Sequence, residues 1–233
     1  MSHFRRPILL VSSIVLVVCL AGAVAIATLV SSGYWDLLKP KPPASGRTPV
    51  KISIGGETVT IAAERLRFPA ERHSGQAAKI ELLFTWPDFA APGDDDLARF
   101  TTARDGRLVF VTIIPRDTEL DTADRIASVY QRFLAPGESD GPEGLIKRGF
   151  LPGSSYDGEE LYFERGAVHP FAARCYPAQK GDPILTCLRD VKFGRHLMAT
   201  IRLPVAALGN WRRLRDGVDA ILAEISGEAA KGG

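Results

Sequence analysis

The sequence has few cysteines, no excess of charge of either sign and few aromatic residues. Three cysteines in 233 residues exclude a small scaffold held together by many disulfides. A formal net charge of +2 excludes a generally basic nucleic-acid-binding domain, so we predict no nucleic-acid partner. Hydrophobic residues make up 45% of the chain, a share that excludes a wholly disordered protein.

The sequence also lacks the short motifs that identify common enzyme sites. It has no HExxH or His-x-His pattern for zinc, no GxSxG nucleophile turn, and neither of the glycine-rich loops that bind phosphates. The aspartates at 94–96 favour a solvated loop, and the glutamates at 159–160 have no identifiable partner carboxylate. We therefore predict no catalytic, cofactor-binding or metal-binding residue, and no cofactor.

Residues 8–30 form an uncharged apolar run, preceded by two arginines and followed by Tyr34 and Trp35. A helix of this length covers about 35 Å, enough to cross a bilayer whose hydrocarbon core is about 30 Å thick. The alternative is a cleaved signal peptide, whose apolar core is usually shorter. We predict a membrane anchor at 8–30 that lies in the lipid bilayer and follows a short cytoplasmic N-terminus at 1–7.

Small residues form a stripe along this run, at helical spacing: Ala21, Ala25, Thr28 and Ser32. Such stripes let two helices approach closely in lipid, so these residues are candidates for contact with another membrane helix. The alternative is that alanine is simply common in membrane spans.

The composition changes after the anchor. Residues 31–49 are rich in proline, lysine and small residues, which is typical of a tether. Residues 50–226 are long enough to bury a sizeable core, and we predict that they form one extracytoplasmic domain. Residues 227–233 are predicted to be a flexible tail.

This domain is predicted to be α+β, with a mainly antiparallel sheet and two helices. Alternating β-prone runs flank Gly55 and Gly56, a signal for a two-residue hairpin. Further strands are predicted at 79–86, 107–114, 145–150, 160–164, 171–176, 184–191 and 195–203.

Two of these strands end in proline and lead into helical patterns. After Pro115, a helix is predicted from Thr118, with Asp121 completing its cap, to about residue 134; a second helix follows Pro204. The similarity favours a duplicated strands-then-helix unit, which would place both helices on one face of the sheet. The alternative is chance, because strand–proline–helix is a common arrangement.

Two of the cysteines lie symmetrically about a turn-rich stretch. If the flanking strands pair around Gly181, Cys175 stands opposite Cys187 and a cross-strand disulfide can form. The alternative is two buried thiols. A disulfide is typical of an oxidising compartment, so we place the main domain in the periplasm and the anchor in the inner membrane.

Three arginines form the one basic cluster on a predicted helix: Arg212, Arg213 and Arg215. They are candidates for contact with lipid headgroups or with an acidic partner. The alternative is a solvated helix face, on which Asp216 and Asp219 neutralise two of them at i,i+4 spacing.

The anchor, tether and disulfide favour a non-enzymatic envelope protein, whose domain binds another membrane or envelope protein or serves as an accessory subunit of a membrane complex. Two alternatives stay open. One is a membrane-tethered hydrolase, which would need one of His73, His169 or His196 beside an acid and a nucleophile. The other is a domain that binds a small ligand or peptidoglycan in an apolar pocket.

Overall fold

The computed structural model describes residues 19–22, 24, 28, 46–93, 107–176 and 186–227. The chain divides into two compact units, Met1–Pro42 and Pro43–Gly233. In the first unit the described residues, Ala21 and Thr28 among them, are helical and exposed.

Most of the predicted anchor at 8–30 lies outside the described residues, with Ala25 and Ser32. Across the described segments, no helix is long and apolar enough to cross a membrane. The anchor and its stripe of small residues therefore stay predictions. Also outside the described residues are 1–7, most of the tether (31–45) and most of the tail (228–233).

The second unit begins with a small sheet built on the predicted hairpin. Strand β1 (Pro49–Ile54) pairs antiparallel with β2 (Glu57–Ala62), and β3 (Gly75–Gln76) pairs parallel with β1. The turn residues Gly55 and Gly56 have φ angles of 58° and 82°, which glycine adopts without steric cost. The two-residue hairpin is therefore confirmed.

A large antiparallel sheet follows. Its strands are β4 (Ile80–Thr85), β5 (Leu108–Pro115), β6 (Ser139–Asp140), β7 (Ile146–Gly149), β8 (Glu160–Phe163), β9 (Ala172–Tyr176), β10 (Thr186–Phe193) and β11 (Leu197–Pro204). Their order in the described part of the sheet is β4-β5-β11-β10-β9-β8-β7-β6. The α+β architecture with a mainly antiparallel sheet is confirmed.

One face of this sheet carries the main core. Along β5, Val109, Val111 and Ile113 point to this face because alternate residues of a strand share a side. The helices of the described domain are α1 (Asp124–Ser128) and α2 (Trp211–Ser226). The apolar stripe of α2 joins the β1–β2 hairpin on this face through Trp211, Leu214, Val218, Ile221, Leu222 and Ile225.

The segment that follows β5 packs on the opposite face. In β8, Tyr162 belongs to the main core, whereas Leu161 and Phe163 pack with Tyr130 in a second cluster. Adjacent strand residues point to opposite faces, so α2 and the α1 segment lie on different sides of the sheet. The prediction that both helices share one face is wrong, and the duplication stays a hypothesis.

The predicted long helix up to residue 134 is also wrong. Helix α1 covers Asp124–Ser128, and a short 3-10 turn follows at Tyr130–Arg132. Leu134 then forms a β-bridge with Phe150. The apolar residues do recur at helical spacing, but they pack against Phe150, Tyr156, Leu161 and Phe163, most of which are aromatic.

A polar contact fixes the start of this segment against β10. The backbone N–H of Thr122 donates to the carbonyl of Asp190 at 3.2 Å, and the Asp190 N–H donates to Thr122 Oγ1 at 2.7 Å. Arg125 Nη1 lies 3.0 Å from Asp190 Oδ2. The part of β10 that β9 does not reach therefore pairs with the chain leading into α1.

Candidate functional site

The predicted disulfide is present between β9 and β10. Cys175 lies directly opposite Cys187 in the antiparallel register, and their Sγ atoms are 2.00 Å apart. Both residues are buried in the main core. The bond holds β9 against β10 just before the part of β10 that contacts the chain leading into α1 in place of β9.

The three arginines of the predicted basic cluster separate in the structure. Arg212 and Arg215 lie over the ring of Trp211, at 4.4 and 5.3 Å from its centroid. Arg213 points elsewhere and forms an ion pair with Asp88 at 3.2 Å. Arg215 pairs with the adjacent Asp216 at 2.9 Å rather than with a residue one turn along the helix.

A continuous stack of aromatic rings and arginines extends inward from this helix end. Trp211 contacts Phe171 with a centroid distance of 5.1 Å, and Arg189 lies over Phe171 at 4.6 Å. We call Phe171, Arg189, Trp211, Arg212 and Arg215 the arginine–aromatic cluster. It is assembled from the start of β9, the middle of β10 and the first turns of α2.

Sequence reasoning missed Arg189 and Phe171. The signal for Arg189 was available in β10, where Cys187 and Val191 belong to or pack against the main core. Arg189 shares their side of the strand because residues two apart point the same way. A charged residue at a core-facing position is the feature that should have identified it.

Arg189 is buried, at 8% exposure, yet it makes no hydrogen bond or ion pair with any residue in the described segments. Among those residues, fully buried side-chain nitrogen or oxygen atoms without a hydrogen bond belong to Arg148 and Glu159. The guanidinium nitrogens of Arg189 therefore retain contact with solvent. Burial lowers the pKa of Arg189, although the negative charges of Asp219 and Asp121 oppose this shift.

Beside this arginine lies a compact acidic group that begins α1. Asp121 Oδ1 accepts the N–H of Asp124 at 3.0 Å, and Asp124 Oδ2 accepts the N–H of Asp121 at 3.2 Å. This reciprocal pair is a capping box, three residues further along the chain than the predicted cap at Thr118 and Asp121. Lys192 Nζ lies 2.7 Å from Asp124 Oδ2.

His169 completes this group, with Nε2 at 3.1 Å from Asp121 Oδ2. Atoms of Asp121, Asp124 and His169 that could bind a cation lie within 4.8 Å of one another. The same oxygens already serve as the α1 cap and as the partner of Lys192. Burial alone would raise the pKa of Asp124, but hydrogen bonds from Lys192 and the Asp121 backbone outweigh it and leave the pKa lowered.

The contact of His169 with Asp121 is half of the arrangement that a hydrolase would need. The remaining requirement is a hydroxyl or thiol beside the imidazole, and none contacts His169 in the part of the chain that the structure describes. His73 and His196 lie elsewhere: His73 Nδ1 faces the Ser74 carbonyl, and the His196 N–H donates to Glu57.

The loop between β8 and β9 carries an exposed apolar side chain next to the cluster. Val168 is fully exposed and immediately precedes His169. The loop is closed by the N–H of Glu164, which donates to the carbonyl of Phe171 at 2.9 Å, and by the Phe171 N–H, which donates to Glu164 Oε2 at 3.3 Å. Val168 is therefore presented at the surface, three residues before Phe171 of the arginine–aromatic cluster.

Comparison with known proteins gives a fold but no family. No protein-family description matches the chain, and no curated protein sequence matches it significantly. Smlt3025, an immunity protein of the Stenotrophomonas maltophilia type IV secretion system, aligns with a TM-score of 0.54 and 14% identity over 77% of this chain and 93% of its own. At this identity the likeness shows a shared fold.

A second solved structure aligns more loosely. The iron-regulated outer membrane lipoprotein FrpD of Neisseria meningitidis gives a TM-score of 0.46 at 14% identity, over 81% of this chain and 96% of its own.

Proposed function

We propose that this chain is a non-enzymatic, membrane-anchored envelope protein whose extracytoplasmic domain binds another protein. The N-terminus would be cytoplasmic, the anchor would lie in the inner membrane, and the domain would lie in the periplasm. The disulfide supports an oxidising compartment for the domain, and the apolar run at 8–30 supports an anchor.

The arginine–aromatic cluster is the observation that carries the binding proposal. Arginine and tryptophan are enriched among the residues that dominate protein–protein affinity. Here Arg212 is exposed beside the buried Trp211, and the exposed Val168 lies on the neighbouring loop. A rigid aromatic base with cationic and apolar groups around it suits a protein surface better than a lipid headgroup.

The fold suggests a more specific form of this proposal. Smlt3025 is described as an immunity protein of a secretion system, and it shares this fold. We extend the same class of role to this chain, with a protein of a secretion system as the first partner class to test. An accessory subunit of a membrane complex is the broader form of the same proposal.

Site-specific photo-crosslinking in intact cells tests this function. The full chain would carry a benzophenone amino acid at position 168 or 212, and a matched control would carry it at Thr60. Thr60 is exposed on β2, on the side opposite to the buried Val59 and Ile61. We expect a discrete protein adduct from positions 168 and 212 and none from position 60. Equal adducts from all three positions, or none from 168 and 212, would contradict the proposal.

The predicted contact within the membrane is tested in the same cells. In the double variant Ala21→Leu, Ala25→Leu, larger side chains would separate two closely packed helices. Loss of co-purification after mild crosslinking, with the adduct at position 168 retained, would assign a separate contact to the anchor. Unchanged co-purification would remove the small-residue stripe from the proposal.

A further inference from the structure

We propose that Arg189 binds a side-chain carboxylate, aspartate or glutamate, of the partner protein. This inference rests on the proposed binding function and names the chemistry that the arginine–aromatic cluster recognises. The partner would place an acidic residue against the solvent-accessible guanidinium nitrogens of Arg189 and an apolar residue against Val168.

The state of Arg189 in the free protein is the first argument. A buried charge without a partner is unfavourable, and buried charges in proteins are normally paired and hydrogen-bonded. Arg189 has contact with the Phe171 ring but no hydrogen bond or ion pair within the described segments. Its donors still reach solvent, so an incoming acceptor can approach them.

The geometry of the stack is the second argument. The ring contact places the guanidinium carbon over the Phe171 ring, 4.6 Å from its centroid. The N–H donors lie around the guanidinium edge and form a fork that matches the two oxygens of a carboxylate. Stacking on Phe171, itself packed against Trp211 at 5.1 Å, holds this fork in place before a partner arrives.

The surrounding charges select the kind of anion. The charged groups with the largest influence on Arg189 include Asp219, Asp121, Glu164 and Arg215. Three of these four are acidic, so an anion with two negative charges would meet more repulsion here than an anion with one. A single carboxylate carries less charge and has the planar shape that the fork favours. We therefore assign Arg189 to an acidic side chain and not to a phosphate.

Arg67 provides a matched control elsewhere in the domain. It also lies over a phenylalanine, at 4.8 Å from the Phe68 centroid, but it already has a carboxylate partner in Glu81 at 2.7 Å. Removing the charge of Arg67 breaks an ion pair inside the protein. Removing the charge of Arg189 breaks none within the described residues.

The experiment compares Arg189→Met, Arg189→Lys and Arg67→Met in the full chain with the crosslinker at position 168. We expect Arg189→Met to reduce the adduct at least about tenfold, as removal of a dominant interface arginine does. Its melting temperature should stay at or above that of the wild type, because a buried unpaired charge has been replaced by an apolar side chain. Arg67→Met should lower the melting temperature and leave the adduct unchanged.

Arg189→Lys keeps the charge but loses the forked pair of donors, so the yield of the adduct should also fall in this variant. If Arg189→Met fails to fold, Arg189→Lys provides the test. A wild-type adduct yield in the Lys and Met variants would overturn the inference while leaving the proposed function intact. Absence of any adduct in the wild type would instead contradict the proposed function.

A second readout does not depend on the partner. Sodium formate, compared with sodium chloride at equal ionic strength, should raise the melting temperature of the wild type and of Arg67→Met but not of Arg189→Met. An equal effect of formate on all three proteins would overturn the carboxylate site.

Discussion

The carboxylate of Glu57 accepts the backbone N–H of Arg195, with the nitrogen 3.0 Å from Oε1 and 3.1 Å from Oε2. The N–H of His196 donates to the same carboxylate. Glu57 begins β2 of the small sheet, whereas Arg195 and His196 lie in the turn between β10 and β11 of the large sheet. One side chain therefore satisfies two backbone donors and joins the two sheets.

We expect Glu57→Ala to lower the free energy of unfolding by about 1–2 kcal/mol, because two charge-assisted hydrogen bonds are lost. Chemical denaturation followed by circular dichroism measures this change. Glu64→Ala is the matched control: Glu64 pairs at 3.6 Å with Arg47, whose side chain is 93% exposed, and such pairs contribute about 0–1 kcal/mol. Equal effects of the two substitutions would contradict this account of Glu57.

The Cys175–Cys187 disulfide is expected to contribute substantially to stability. The two residues are separated by 12 positions, and closing a loop of this size restricts the unfolded chain by about 3 kcal/mol. We therefore expect the double variant Cys175→Ser, Cys187→Ser to have a free energy of unfolding lower by about that amount and to unfold at a lower denaturant concentration. Reduction of the wild-type protein should have a similar effect.

Thiol labelling of the native protein checks the pairing itself. Cys175 and Cys187 should react only after reduction and unfolding. Labelling in a Cys19→Ser background isolates the pair. Reaction of either core cysteine in the unreduced protein would contradict both the pairing and the argument for a periplasmic domain.

Local patterns in the sequence were sufficient for much of the sheet. Gly55 and Gly56 identify the hairpin because only their own φ angles and the alternation on either side are needed. The opposition of Cys175 and Cys187 followed from symmetry about one turn. In each case the information lies within a dozen residues, and no distant segment has to be known.

The parts that failed depend on distant segments. The apolar residues of the α1 region recur at helical spacing, but Tyr130 and Leu134 pack against Phe150 and Leu161. The spacing of residues within one segment cannot reveal these distant partners. Similarly, Arg189 becomes a candidate site only when β9 and α2 bring Phe171 and Trp211 to it. Arg189 is thus recognisable as the centre of the cluster only from its contacts in the folded domain.

Gly217 of α2 lies in direct contact with Phe89. A Cβ atom at this position would lie 2.3 Å from Phe89 Cε2, so the ring would have to move. Alanine normally stabilises a helix relative to glycine by about 1 kcal/mol. We expect Gly217→Ala to destabilise the protein instead, by about 1–3 kcal/mol, because overpacking outweighs the helix propensity.

Two further variants test this contact in the same denaturation assay. Gly209→Ala adds a methyl group where no atom lies within 4 Å, so its stability should equal or exceed that of the wild type. In a Phe89→Leu background the penalty of Gly217→Ala should shrink, because the ring atoms that collide are absent. An unchanged penalty there would assign the effect to the helix rather than to Phe89.

Glu81 should make stability depend on acid pH. A hydrogen bond from Lys79 lowers the pKa of Glu81 below its ordinary value of 4.5, with burial opposing and Arg67 assisting. Because the carboxylate is favoured in the folded state, its contribution is present above about pH 4.5 and is lost as the pH falls through the lowered pKa. Glu81→Gln should therefore be less stable than the wild type at pH 7, with the difference closing toward pH 3.

Glu159→Gln provides a control with the opposite sign. Burial raises the pKa of Glu159, although Arg174 partly offsets the shift, so the folded state favours the protonated form. The contribution of this carboxyl group is greatest at low pH and is lost as the pH rises through the raised pKa. In denaturation curves from pH 3 to pH 7, the stability of Glu159→Gln relative to the wild type should thus increase as the pH rises. The stability of Glu81→Gln relative to the wild type should decrease over the same range. Parallel curves for the two variants would contradict the assigned environments of both carboxylates.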